Sequence, residues 1–289
     1  MLNVVVEWSN VKLASVRVKY KSENRQELKN VDQVEMEEFL GLLIYTSVFK
    51  SNHEDIECLF ATDGMGREIF RSVMSAKRFA VLLTCLRFAD PSTREQRKAV
   101  NPLAPIQELF ESFIQNCQTE FSVYEYVCID ERLVGLRGRS RFRMYIPNKP
   151  RKYRLKIMIL TNARNNYVYN AYVYTDQDSD GMGLSVTEKK PAKPTQSVLR
   201  LSKPLFGSNR NVTADNWFTS IELVQLLKSN GLTYVGPMKK VKRHIPPEFL
   251  SQRHREIGLV RYGFTKDITI LSYVPKKKQS RHTSILHAS

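Results

Sequence analysis

Two aspartates, Asp130 and Asp215, each follow a run rich in β-branched and aromatic residues, and each leads straight into groups that handle phosphate. Asp130, with Glu131 beside it, closes YVCIDE and precedes nine basic residues from Arg137 to Lys156 with no acid among them. Asp215 closes NVTAD and precedes a helix signal. Carboxylates brought together at strand ends hold a hard divalent cation against a nucleic-acid phosphate, because such ions take oxygen ligands and leave positions for phosphate. Each aspartate also has an ordinary reading, Asp130 as a solvent-facing strand end and Asp215 as a turn residue. The chemistry requires that both lie on neighbouring strands.

The elements that must do this positioning are legible in outline. VEMEEFLGLLIYTSVFK carries Met36, Phe39, Leu40, Leu43 and Ile44 at three-and-four spacing, with Asp32 as N-cap and Glu35 three residues on, so it reads as an amphipathic helix. SAKRFAVLLTCLRFA reads as a second helix stopped by Asp90-Pro91, and PIQELFESFIQNCQTEF as a third. From Val123 the texture turns to strand: SVYEYVCIDERLVGL, YRLKIMILTN and NYVYNAYVYTD form a meander with a turn at 162–166. TQSVLRLSKPL reads as a helix, NVTADNW as a strand, and SIELVQLLKSNG as a helix capped by Thr219 with Glu222 and stopped by Gly231. TYVGPMKK follows as a strand, and RYGFTKDITILSYVP as a hairpin turning at Thr265–Asp267. The expectation is an α/β fold with a mixed sheet: a helical region over 1–120, a core over 121–240 and a β-rich region over 241–289.

Charge narrows the partner. The 289 residues carry a formal charge of +16, and from Lys189 onward 19 basic residues face 5 acidic ones. A sign bias of that kind fits a polyanion, and nucleic acid is favoured over an anionic membrane because no basic amphipathic helix stands out. Arg137, Arg139, Arg141 and Arg143 would form one basic row if they continued a strand, since alternate residues share a face. Lys149, Arg151 and Lys152 extend that group. Lys239, Lys240, Lys242 and Arg243, like Lys276–Lys278, read as DNA-contact or nuclear-localisation clusters or as plain solvated charge. No apolar run approaches the ~20 residues of a membrane span.

Other motifs carry less. Cys58, Cys85, Cys117 and Cys128 form no CxxC pair, which argues against zinc and for buried free thiols in a reducing compartment. Asp176, Asp178, Asp180 and Gly181 match the first half of a calcium loop, but its twelfth position is Thr187. Trp217 and Phe218 beside Asp215 could stack on a splayed base or pack the turn.

In these blocks the chain resembles the piggyBac family of cut-and-paste transposases and the host genes derived from them. The likeness rests on EEFLGLLIYTSVFKS, VMSAKRFAVLLTCLRFAD, IDERLVGLRGRSRFRMYIPNKPRKYRLK, YVYNAYVYT, VTADNWFTSIELVQLLKSNGLTYVGPMKK and ITILSYVPKKK. It implies a ribonuclease H-like core with a preceding helical region and a β-rich insertion. It also implies Mg2+ at a triad of aspartates, of which Asp130 matches the first and Asp215 the second. The expected partner is double-stranded DNA, at transposon ends or TTAA targets, bound in the nucleus by a homodimer. The third aspartate of that family lies beyond the insertion, and none of Glu222, Glu248, Glu256 or Asp267 matches it. The expectation is therefore a transposase-derived DNA-binding protein with a partial metal site and impaired transposition. The alternatives are an active enzyme whose third aspartate lies in a longer isoform, and an unstable fragment.

Overall fold

Val127 and Ile129 alternate with Cys128 and Asp130 along one strand, and Val212 and Ala214 alternate with Thr213 and Asp215 along another. That period of two gives the sheet one dry face and one open face, and the rest of the fold serves to bury the dry one. The computed structural model describes residues 2–20, 25–51, 53–136, 138–176, 178–239, 245–250, 256–274 and 284–288. The chain divides into two compact units, 1–112 and 113–289, each with its own apolar core.

Helices α1 (Leu2–Tyr20), α2 (Gln33–Val48), α3 (Ile56–Leu59), α4 (Glu68–Val73), α5 (Ala76–Cys85) and α6 (Arg94–Val100) lie in the first unit, which α7 (Gln107–Glu120) leaves. The cap expected of α2 is present, and its expected apolar stripe is met in part. Asp32 Oδ1 accepts from Glu35 N at 2.8 Å, and Met36, Phe39 and Leu42 are buried, while Ile44 faces solvent. Ser75 caps α5, which ends at Cys85, short of the expected stop at Asp90-Pro91. Phe60, Phe70 and Phe79 pack ring against ring with centroids 5.3–6.1 Å apart. The buried guanidinium of Arg78 donates to both oxygens of Glu35 at 2.6 and 2.7 Å and to the carbonyls of Glu27 and Lys29. Helices α1, α3, α4 and α6 are additions to the helices expected from the sequence, α6 within a stretch whose polar, proline-bearing residues read as a loop.

The second unit holds the sheet. Strands β1 (Tyr126–Gly135), β2 (Met144–Tyr145), β3 (Tyr153–Asn162) and β4 (Val168–Tyr174) precede helix α8 (Lys193–Ser202). Then come β5 (Asn211–Ala214), α9 (Ile221–Ser229), β6 (Thr233–Met238), β7 (Val260–Phe264), β8 (Thr269–Tyr273) and β9 (Ser284–Ala288). The order is β2-β3-β1-β5-β6-β9-β8-β7, and β4 pairs with β3. β1 runs antiparallel to β3 and parallel to β5, and β5 runs parallel to β6, so the sheet is mixed. Val127, Ile129, Met158, Leu160, Val212, Ala214 and Tyr234 form one core with Val198, Leu199 and Leu201 of α8 and Leu223, Val224 and Leu227 of α9.

Three expectations are corrected here. Asp130 is not at a strand end: β1 continues to Gly135 because β3 supplies hydrogen-bonding partners that far. The basic run after Gly135 is not a strand, since β3 begins only at Tyr153 and β2 pairs with its first residues, so Arg139, Arg141 and Arg143 lie in a loop and form no row. The N-cap of α9 is Ser220, whose side chain accepts from Leu223 N at 3.0 Å, and not Thr219, which is buried and otherwise engaged.

Candidate metal and nucleic-acid site

The parallel register of β1 and β5 decides where the two aspartates go. Tyr126 pairs with Asn211 and the ladder runs through Ile129 with Ala214, so one further step sets Asp130 beside Asp215. Adjacent strands lie about 4.8 Å apart, and paired residues on parallel strands point to the same face. That face is the open one: Asp130 and Asp215 are both exposed, while Ile129 and Ala214 are buried beneath them. β5 ends at this step and β1 does not, so the pair sits in the notch where the two strands part.

The Asp215 turn is held from below. Asp215 O accepts from Phe218 N at 3.0 Å, from Thr219 N at 3.3 Å and from Thr219 Oγ1 at 3.1 Å. Thr219 Oγ1 also shares a 2.7 Å hydrogen bond with the buried Tyr234 hydroxyl. Burial, with the charge of Asp215 adding to it, pushes the Tyr234 phenol up to about 12, so it stays protonated and available as a donor. Gly236 makes this close packing possible: a Cβ there would lie 2.8 Å from both Ala214 O and Thr219 Oγ1. Asp215 Oδ1 accepts from Asn216 N, and Asp130 Oδ1 from Glu131 N at 2.8 Å, which leaves oxygen on both carboxylates to face outward. On the same face, burial and then the Asp130 charge push the Cys128 thiol up.

Two oxygen donors fit a magnesium-class cation, which usually takes one or two carboxylates and fills its remaining positions with water and phosphate. Among the described residues, no cluster of three or more His, Cys, Asp or Glu that could hold a metal is present. The half-match to a calcium loop does not gather its acids into one ligand set. Asp180 is buried and accepts the Tyr172 hydroxyl at 2.5 Å, Asp178 pairs with Lys193 at 3.3 Å, and Asp176 closes a turn by accepting from the backbone N–H of Asp178 and Ser179. Of the four thiols expected to be buried, Cys58 is exposed.

The basic residues gather at the same end of the sheet as the pair. Gly135, at the end of β1, pairs with Arg154, five residues or about 17 Å along β1 from Asp130, and the loop carrying Lys149, Arg151 and Lys152 lies beyond that pair. Arg139, Arg141, Lys149, Arg151 and Lys152 are exposed. Arg143 is half-buried, stacks 4.0 Å from the Tyr153 ring and donates to Gly138 O. Lys239 is exposed just beyond β6, at the same end. Arg137, Lys240, Lys242, Arg243 and Lys276–Lys278 lie outside the described residues. The sequence did not mark Tyr234 or Gly236 as parts of the site; their two-residue spacing with Met238 on the buried face of β6 is the signal that could have found them.

A sheet of this order, with α8 and α9 on the dry face, is the ribonuclease H-like fold. The family model described as Transposase IS4 matches residues 2–287. A piggyBac transposase, solved by cryo-EM as a synaptic complex with hairpin DNA, superposes with a TM-score of 0.88 at 33% identity. That match covers 100% of this chain and 58% of the other, so the chain spans less than two thirds of the transposase it resembles. The chain belongs to the piggyBac-type transposase family.

Proposed function

We propose that this chain binds DNA along the cationic end of its sheet and holds a divalent cation, Mg2+ or Mn2+, at Asp130 and Asp215. The observation that supports the reading is the β1–β5 register, whose last pair, Ile129 with Ala214, is followed on each strand by an exposed aspartate, the two 85 positions apart in sequence. A cation bound there supplies Lewis-acid polarisation of a phosphodiester. The chain's own part is to orient the two carboxylates and to hold the backbone of a DNA strand on Arg139, Arg141, Lys149, Arg151, Lys152 and Lys239. The hairpin DNA of the structural neighbour makes hairpin and double-stranded ends the substrate class to test, with TTAA as the target by resemblance. Nuclear location, a homodimer and strand transfer belong to the same reading.

Binding of a TTAA-flanked hairpin duplex should weaken steeply with salt, and each of Arg139→Gln, Arg151→Gln and Lys152→Gln should lower the slope of log K against log salt by about 1. An unchanged slope in all three variants contradicts the assigned surface. Mg2+-dependent nicking of that duplex, abolished in Asp130→Asn, would extend the reading from binding to cutting.

A further inference from the structure

Lys156, on the opposite face of the sheet, reaches the carboxylate turn. Lys156 lies on β3, paired with Leu133 of β1 and Tyr174 of β4, and stands at two-residue steps from the buried Met158 and Leu160, on their face. It therefore projects to the dry face, away from the side that carries Asp130. Its ammonium lies 4.6 Å from the centroid of the Trp217 ring and 5.3 Å from that of Tyr174. Its charge also acts on the buried carboxylate of Asp180. Trp217 is the middle residue of the turn that begins at Asp215, and its ring meets the buried Phe218 edge-on at 4.7 Å. Thr219 and Tyr234 hold the far end of that turn, and the Lys156 contact holds its middle. A cation set over two rings and beside a carboxylate is poorly placed to reach a phosphate on the other face.

From this arrangement we infer that Lys156 is a positioning residue: by gripping Trp217 it fixes the Asp215 carboxylate in register with Asp130. The inference rests on the metal reading above, but the contact itself can be tested without metal. It also assigns Trp217 to packing and not to base stacking.

The test uses Lys156→Gln and Lys156→Arg in the full chain. Hydrogen exchange at the amides of Phe218 and Thr219, which donate to Asp215 O, reports on the turn, with amides of α2 and α5 as the internal control. Because the chain has only Trp8 and Trp217, a Trp8→Phe background isolates Trp217 emission and its quenching by acrylamide. Expected for Lys156→Gln are faster exchange at both amides, greater quenching of Trp217, and Mn2+ binding about two- to fivefold weaker by electron paramagnetic resonance. Lys156→Arg keeps a cation over the rings and should restore all three. Unchanged exchange and quenching in Lys156→Gln would overturn the inference, as would failure of Arg to restore them. A fall of about 1 in the salt slope of DNA binding with the turn undisturbed would likewise overturn it and make Lys156 a phosphate contact. If Asp130→Asn leaves Mn2+ binding unchanged, the metal reading fails, and the exchange and quenching still decide the role of Lys156.

Discussion

Aspartates gather in two places in the second unit, and the two places behave in opposite ways. Asp176, Asp178 and Asp180 are close in sequence yet disperse: one closes a turn, one pairs with a lysine, and one is buried against Tyr172. Asp130 and Asp215 are far apart in sequence and converge, because a parallel ladder carries one to the other. Spacing along a chain predicts a ligand set only where the backbone between the ligands takes the required loop. Across a sheet it is register that brings ligands together, and register is set by which residues the core must bury. The buried acid is bonded within the fold, while the carboxylates of Asp130 and Asp215 stay exposed.

That contrast can be broken or sharpened by substitution. The largest loss of stability is expected for Gly236→Ala, whose Cβ would press on Ala214 O and Thr219 Oγ1; a cost of about 3 kcal/mol is expected in denaturant melts, together with weaker Mn2+ binding. Tyr172→Phe removes a hydroxyl that donates to the buried Asp180 and should cost about 2 kcal/mol, with DNA and metal binding unchanged.

Asp180→Asn has a smaller effect, and one that depends on pH. Burial raises the Asp180 carboxyl above its ordinary value, despite the opposing bonds from Tyr172 and Ser197 and the lysines nearby. The folded state therefore holds this proton more tightly than the unfolded state does. The associated stabilisation is complete below the ordinary carboxylate range and is lost as pH rises through the raised value. Melting curves should show Asp180→Asn gaining on the wild type as pH climbs above the ordinary carboxylate range, and a constant difference would contradict the assignment. Asp130→Asn should leave the melting temperature unmoved, because the side chain is exposed, while weakening Mn2+ binding by about tenfold or more.

Much of this was legible before the structure was known. The capped helix α2 followed from Asp32 and the spacing of Met36 and Phe39, and the β1, β3 and β4 meander from β-branched and aromatic content with a polar turn. The aspartates could be singled out, but their adjacency could not, because no local signal encodes which strand pairs with which. The arginine row failed for the same reason: alternation describes a strand only if a partner exists to hydrogen-bond it, and β3 begins too late to serve that run. The cap of α9 was displaced by one residue because the Thr219 hydroxyl is committed to Tyr234 and Asp215, a competition that only the packed structure reveals. The inward turn of Asp180 depended likewise on Tyr172, a partner supplied by the preceding strand β4.

The convergence of Asp130 and Asp215 on one cation is tested most directly by titrating the isotope-labelled chain with Mn2+ and following amide line broadening. The account predicts that residues around 130 and around 215 broaden together, with one midpoint, and that either Asp130→Asn or Asp215→Asn moves the midpoint at both by about tenfold or more. Broadening at one segment alone, or at the two segments with separate midpoints, would contradict it.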